Sequence, residues 1–192
     1  GFAFLTYDRD TNATNLFRHD LNEDTTRLLL TVPPDGGKLE GLQISPNGQE
    51  AAFVLRKGSR KEGRSEEIQL VNLSDGSTRV LASGPLGPVL PVWSPDGERI
   101  ALVRRDLDQP LKPGPHAVMP LGDIWTLTVR TGEMEQLTFT QAIERPPVWS
   151  PAGDYLAFVT AGGEVGMVSS TEPGVVWRLG VQLQQPQLTR LG

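Results

Sequence analysis

Trp93-Ser94-Pro95-Asp96-Gly97-Glu98-Arg99-Ile100-Ala101-Leu102-Val103 is the stretch that decides how this chain folds. Its centre is a turn, because proline presets φ and Gly97 accepts the positive φ that lets the chain reverse. The apolar run beyond it is short and rich in branched side chains, which reads as a strand. The cassette recurs. Ile44-Ser45-Pro46-Asn47-Gly48 leads into Ala51-Ala52-Phe53-Val54, and Trp149-Ser150-Pro151-Ala152-Gly153 leads into Leu156-Ala157-Phe158-Val159. A fourth run, Phe2-Ala3-Phe4-Leu5, opens the chain, and its Ala3 aligns with Ala52, Ala101 and Ala157 at spacings of 49, 49 and 56 residues. A repeated cassette of this length points to a repeat architecture before any local assignment is made.

Outward from the cassette, each unit continues in the same way. Glu67-Ile68-Gln69-Leu70-Val71-Asn72-Leu73 alternates between a buried and an exposed face. A polar turn, Ser74-Asp75-Gly76-Ser77, then leads to Thr78-Arg79-Val80-Leu81. The next unit repeats this as Asp123-Ile124-Trp125-Thr126-Leu127, Thr131-Gly132 and Met134-Glu135-Gln136-Leu137. Four strands, here called A to D, in each unit of about 40–50 residues is the period of a propeller blade. The expectation is an all-β propeller of four-stranded antiparallel blades, with units 1–37 (lacking strand A), 38–86, 87–141 and 142–180, and a terminal A-like strand in 181–192. The last of these rests on Pro186-Gln187-Leu188-Thr189-Arg190-Leu191-Gly192, which aligns with Pro91-Val92-Trp93-Ser94-Pro95-Asp96-Gly97. Three complete blades plus one shared between the termini make about four blade equivalents. A closed four-bladed ring, an eight-bladed ring made by a homodimer, and a fragment of a larger ring all fit.

Pro91-Val92-Trp93-Ser94-Pro95-Asp96-Gly97-Glu98-Arg99-Ile100-Ala101 resembles the repeat of the TolB-like (WD-like) β-propellers, and Tyr7-Asp8-Arg9-Asp10 followed by Asn15-Leu16-Phe17 resembles that family's second hairpin. The resemblance covers nearly the whole chain. It implies a bacterial protein in an extracytoplasmic setting, the periplasm or cell surface. It leaves function open, since such blades serve as partner-binding domains, lipoprotein modules and gating domains of peptidases.

Composition agrees with many short strands: the 192 residues include 21 glycines and 16 prolines, with 6% aromatic residues. A net charge of −5 argues against nucleic acid as a partner, whose phosphates call for a basic face. Without cysteine there are no disulfides or thiolate metal sites. No run approaches the roughly 20 apolar residues that cross a bilayer as a helix, and the first residues do not read as a signal peptide.

Catalytic motifs are absent from the sequence. Gly63-Arg64-Ser65-Glu66-Glu67 fails the nucleophile-elbow pattern at its last position, and neither phosphate-cradling loops nor zinc-binding helices are found. His19 and His116 have no sequence partners, and His19 reads as solvated strand surface. Asp8, Asp10 and Asn12 have the spacing of a calcium loop, but Ala13 and His19 stand where it needs glycine and glutamate. They read instead as a polar hairpin turn. Trp93, Trp125, Trp149 and Trp177 read as packing residues. No cofactor and no metal site are expected.

The irregular feature is the connection between strands B and C. It is expected at Asp8–Thr14, Lys57–Ser65, Asp106–Gly122 and Ala161–Gly163, whereas the A–B turns keep one length. In a meandering blade all B–C connections emerge on one face, and variable loops on a rigid scaffold commonly carry binding. Arg56, Lys57, Arg60, Lys61 and Arg64 against Glu62 give the second connection a local charge of +4. Arg104, Arg105 and Lys112 against Asp106 and Asp108 add +1, and Pro113-Gly114-Pro115-His116 offers a docking segment. The expected function is a non-catalytic module binding a protein partner, acidic in character, through Arg56, Lys57, Arg60, Lys61, Arg64, Arg104, Arg105, Lys112 and His116. The alternative is the gating propeller of a prolyl-oligopeptidase-like serine peptidase whose hydrolase domain lies outside this chain.

Overall fold

The computed structural model describes residues 1–59, 63–84, 86, 90–104, 122–139, 143 and 145–182. These residues form four antiparallel sheets arranged in chain order. Blade 1 has three strands, β1 (Phe2–Asp8), β2 (Ala13–Asp20) and β3 (Thr25–Val32). Blade 2 follows a short 3-10 turn, Pro34–Gly36, and comprises β4 (Lys38–Ile44), β5 (Glu50–Ser59), β6 (Gly63–Asn72) and β7 (Thr78–Gly84). Blade 3 is β8 (Val92–Trp93), β9 (Arg99–Arg104), β10 (Asp123–Thr128) and β11 (Met134–Gln136). Blade 4 is β12 (Val148–Trp149), β13 (Tyr155–Val159), β14 (Glu164–Ser169) and β15 (Val176–Gln182). Each strand pairs with its chain neighbours, which is the meander of a propeller blade. The A-like strand expected at 186–192 lies outside the described residues.

The serine of each cassette explains why the turn is uniform. Ser45 Oγ accepts the Glu50 amide and donates to the Glu50 carbonyl, so the side chain closes the hairpin at its base. Ser94 does the same with Arg99, and Ser150 accepts the Tyr155 amide. Gly48, Gly97 and Gly153 hold φ of 70°, 75° and 80°, where a side chain is strained. Within each complete blade a backbone bond ties the segment after strand C to the A–B turn: Leu73 N to Gln49 O, Val129 N to Glu98 O, and Ser170 N to Asp154 O. The A–B and C–D turns therefore share one face of each blade, and the B–C connections lie on the other.

Three apolar cores hold the blades together, one at each junction. Leu16 of blade 1 packs with Ala51, Phe53 and Val71 of blade 2. Ala52, Val54, Ile68 and Leu70 of blade 2 pack with Ile100, Leu102 and Leu127 of blade 3. Ala101 and Ile124 of blade 3 pack with Leu156, Phe158 and Val168 of blade 4. Alternation along each strand puts one set of side chains toward the preceding blade and the other toward the next. Strand B thus presents its alanine forward, and the residue after it, Phe53, Leu102 or Phe158, backward.

Polar bonds reinforce these junctions. Trp93 Nε1 donates to Gln43 O and Trp149 Nε1 to Val92 O, both at 3.0 Å, so each strand-A tryptophan is anchored on strand A of the preceding blade. An arginine of each earlier blade reaches the carbonyl that follows strand C of the next. Arg18 Nη1 meets Leu73 O at 3.1 Å, Arg79 Nη1 meets Val129 O at 3.0 Å, and Arg99 Nη1 meets Ser170 O at 2.6 Å. These arginines come from strands C, D and B respectively.

Candidate functional site

The face bearing the B–C connections is where the sequence places binding, and the structure redraws it. Strand β5 runs on to Ser59 and β6 begins at Gly63, so Lys57 and Ser65 are ladder partners instead of the two ends of a loop. The apolar run 51–54 inside β5 pairs with 68–71 of β6, and the ladder continues from it past the point where polar composition suggests an end. Both described cations have acids close by on β6. Arg56 stands across from Glu66, and Glu67 is one residue further along.

Ion pairs follow from this register. Arg56 Nη1 lies 2.7 Å from Glu40 Oε2, its Nε lies 3.4 Å from Glu66 Oε1, and Lys38 Nζ lies 2.7 Å from Glu40 Oε1. Lys57 Nζ lies 2.9 Å from Glu67 Oε1. Glu66 also accepts the Leu86 amide through Oε2, at 3.0 Å. The Lys57 hydrogen bond draws the Glu67 carboxyl below its ordinary value of 4.5. Partial burial pushes the Glu40 carboxyl up, but Lys38 and Arg56 outweigh it and leave that group lowered as well. Three cations and three carboxylates thus neutralise the described part of this rim. The charge of +4 expected for this connection omits Glu66 and Glu67, which stand just beyond Ser65 in sequence and across the ladder in space.

Of the other expected binding residues, Arg104 ends β9 with its guanidinium 4.8 Å from the centroid of the Trp125 ring. This contact is a cation–π pair. Arg60, Lys61, Arg105, Lys112 and His116 lie outside the described residues, as does the side chain of Arg64. Arg56 and Lys57 are consecutive in β5, so their side chains lie on opposite faces of the sheet, each held by its own carboxylates.

The remaining candidates resolve into local structure. Asp8 Oδ1 accepts the amides of Asp10 and Thr11 at 2.9 and 3.4 Å, and the Tyr7 hydroxyl donates to Asn12 Oδ1 at 2.7 Å. The Asp-rich segment is the polar hairpin turn. His19 differs from its expected solvated state: its side chain is 18% exposed, it lies 5.1 Å from the Phe2 ring, and Nδ1 bonds Thr26 Oγ1 at 2.9 Å. Phe2 at the strand start covers it. Trp93 and Trp149 lie between blades, whereas Trp177 is 40% exposed and edge-on to Tyr155, with centroids 5.6 Å apart. A recess of about 430 Å³ opens at the B–C end of blade 4, walled by Phe158, Gly166, Val176 and the Glu164–Arg178 pair. No group of three or more metal-ligating side chains is found among the described residues. Nor is any helix among them long and apolar enough to cross a membrane.

No family model matches the chain. Among curated proteins it is similar to the uncharacterized peptidase YuxL of Bacillus subtilis (strain 168), at 27% identity over 59% of this chain and 20% of that protein. Among solved structures it is similar to a prolyl endopeptidase in which inter-domain dynamics have a role in catalysis and specificity. The TM-score is 0.69 at 17% identity, covering 95% of this chain and 28% of that one. TolB from Acinetobacter baumannii matches with a TM-score of 0.64 at 20% identity, over 92% of this chain and 40% of TolB. The chain therefore spans a fifth of the curated relative and less than half of either solved structure. At such identities the solved structures establish the fold.

Proposed function

We propose that this chain, a β-propeller of TolB-like fold, is the non-catalytic propeller portion of a peptidase and governs what reaches a hydrolase domain carried beyond it. The observation that carries this reading is the sequence similarity to a peptidase of which these blades cover only a fifth. The chemistry of the described residues supports it. The arginines and tryptophans at the junctions hold blades together, and Arg56 and Lys57 hold carboxylates. None of these groups is arranged as a nucleophile with a base.

A second reading is favoured by the unequal B–C connections, which contrast with the uniform A–B turns: a module that docks an acidic protein partner on that rim. In it Arg56, Lys57, Arg60, Lys61, Arg64, Arg104, Arg105, Lys112 and His116 make the contact. The two readings differ in whether a hydrolase domain follows, so one experiment separates them. The gene's reading frame is followed beyond Gly192, and a Gly-x-Ser-x-Gly motif is expected about 200–300 residues on, a separation set by typical domain sizes. A frame that closes without that motif sinks the peptidase reading and leaves the docking module.

A further inference from the structure

The side of blade 4 that packs on blade 3 is not filled along its whole length. Ladder partners point to one side of a sheet, so Phe158, Gly166 and Arg178 form a row across β13, β14 and β15 on the side of the blade 3–blade 4 core. The same row holds Phe53 and Gln69 in blade 2, and Leu102 and Trp125 in blade 3. In blade 2 Gln69 bonds the Glu67 carboxylate, and in blade 3 the Trp125 ring lies under Arg104. Blade 4 has glycine at this place. A Cβ on Gly166 would stand 2.5 Å from the tip of the Phe158 ring, so the ring itself lies across the strand. It floors the recess of about 430 Å³.

The mouth of the recess is charged. Gly166 pairs with Arg178 but Glu164 with Gln182, so β15 carries two extra residues there, as a bulge does. Glu164 and Arg178 face each other at 3.7 Å, with side chains 52% and 79% exposed. That separation exceeds a hydrogen bond, and neither side chain makes one among the described residues. A carboxylate and a guanidinium thus stand side by side with acceptors and donors to spare. Below them the walls are apolar, with Val165 and Val176 beside the Phe158 ring.

We propose that this recess binds the zwitterion of a free apolar α-amino acid, its side chain against Phe158 and Val176, its carboxylate on Arg178 and its ammonium on Glu164. The charge pattern carries the choice. An α-amino acid presents the complementary pair of charges on one carbon, with its apolar group beside them. A ligand with one charge would strip water from half of the Glu164–Arg178 pair without matching it. The volume lies within the range of small-molecule sites, roughly 300–1,000 Å³. The proposal rests on blade 4 and not on either reading of function.

The test titrates L-phenylalanine into the isotope-labelled chain and follows the amide signals of Gly162 and Gly166 by NMR. Saturable shifts with a Kd of about 1 mM are expected, since about a dozen non-hydrogen atoms meet charges that stay partly in water. N-Acetyl-L-phenylalanine and L-phenylalaninamide each lack one charge, and each should bind at least about fivefold more weakly. Arg178→Gln, at an exposed side chain whose loss leaves the fold intact, should weaken L-phenylalanine about tenfold. Gly162→Leu is the second variant, because a Cβ there meets only Thr160 Oγ1, at 3.8 Å, and the side chain can occupy the mouth. Its Gly166 signal should no longer respond to the ligand. Absence of shifts in wild type up to about 20 mM, some twenty times that Kd, would overturn the proposal. Equal binding of the acetylated or amidated compound, or unchanged affinity in Arg178→Gln, would overturn it equally.

Discussion

Among the described residues, blades 2 and 3 are flanked on both sides and blades 1 and 4 on one, and the same sequence cassette has a different energetic meaning in the two settings. Ala52 and Ala101 are fully buried at strand-B positions, while Ala157 in the same register is half-exposed. Phe53 is fully buried, and its counterpart Phe4 is half-exposed. A four-stranded sheet with two apolar faces cannot satisfy itself, so each blade contributes stability only in proportion to the neighbours it has. The contrast teaches that the cassette specifies a face and not its burial. Burial comes from whatever stands beside it.

Matched substitutions break this comparison most directly. Ala52→Glu forces a carboxylate into a dry junction with no partner, and the cost should be about 4 kcal/mol or more. Ala157→Glu, at the equivalent place on blade 4, keeps its carboxylate near water and should cost less than about 1 kcal/mol in the dilute single chain. Urea unfolding of both variants measures the difference. Equal losses would mean that blade 4 is covered as blade 2 is, and the distinction between inner and outer blades would vanish.

Much of this fold is legible in the sequence, for a physical reason. The Ser-Pro-x-Gly turn is a local device, with hydroxyl, ring and positive φ all within four residues, so its copies mark strands A and B wherever they stand. The strand-A tryptophans are legible too, because Trp93 and Trp149 hold one place in the repeat and make one kind of bond. The arginines at the junctions are not. Arg18, Arg79 and Arg99 perform the same task from strands C, D and B, so no repeat position announces them. The ion pairs of the candidate rim are not legible for a similar reason. Arg56 and Lys57 look like loop cations until the β5–β6 register places them against Glu66 and Glu67, and register is a property of the pair of strands.

Glycine substitutions sharpen the comparison at smaller cost. Gly132 has φ of 76°, and a Cβ there would lie 2.7 Å from Leu81 O of the preceding blade. Gly132→Ala therefore combines backbone strain with a wedge between blades 2 and 3, for an expected loss of about 2–3 kcal/mol. Gly180 in blade 4 has φ of 63° and nothing within 4 Å of the same atom. Its alanine variant should lose only the strain, about 1 kcal/mol. Denaturant midpoints report both, and a Gly180 loss as large as that of Gly132 would reveal a body pressed against the outer blade.

The smallest effect is electrostatic and again sits in an inner blade. The Glu67 carboxyl is lowered from 4.5 because Lys57 donates a hydrogen bond to it in the fold, a bond the unfolded chain lacks. A group whose folded pKa is depressed stabilises the fold fully above its unfolded value, and that contribution disappears as pH falls through the folded value. Wild type should therefore lose more stability than Glu67→Gln as pH is lowered from about 5.5 toward 3. Lys57 is 42% exposed, so solvent screening keeps the contribution within the range of a surface pair. At the size of this chain that corresponds to about 1–2 °C in melting temperature at pH 6, narrowing as pH falls through the folded value. Parallel pH-melting curves for the two proteins would show that the pair on this rim is not formed in solution, and Lys57 would then be free to meet a partner.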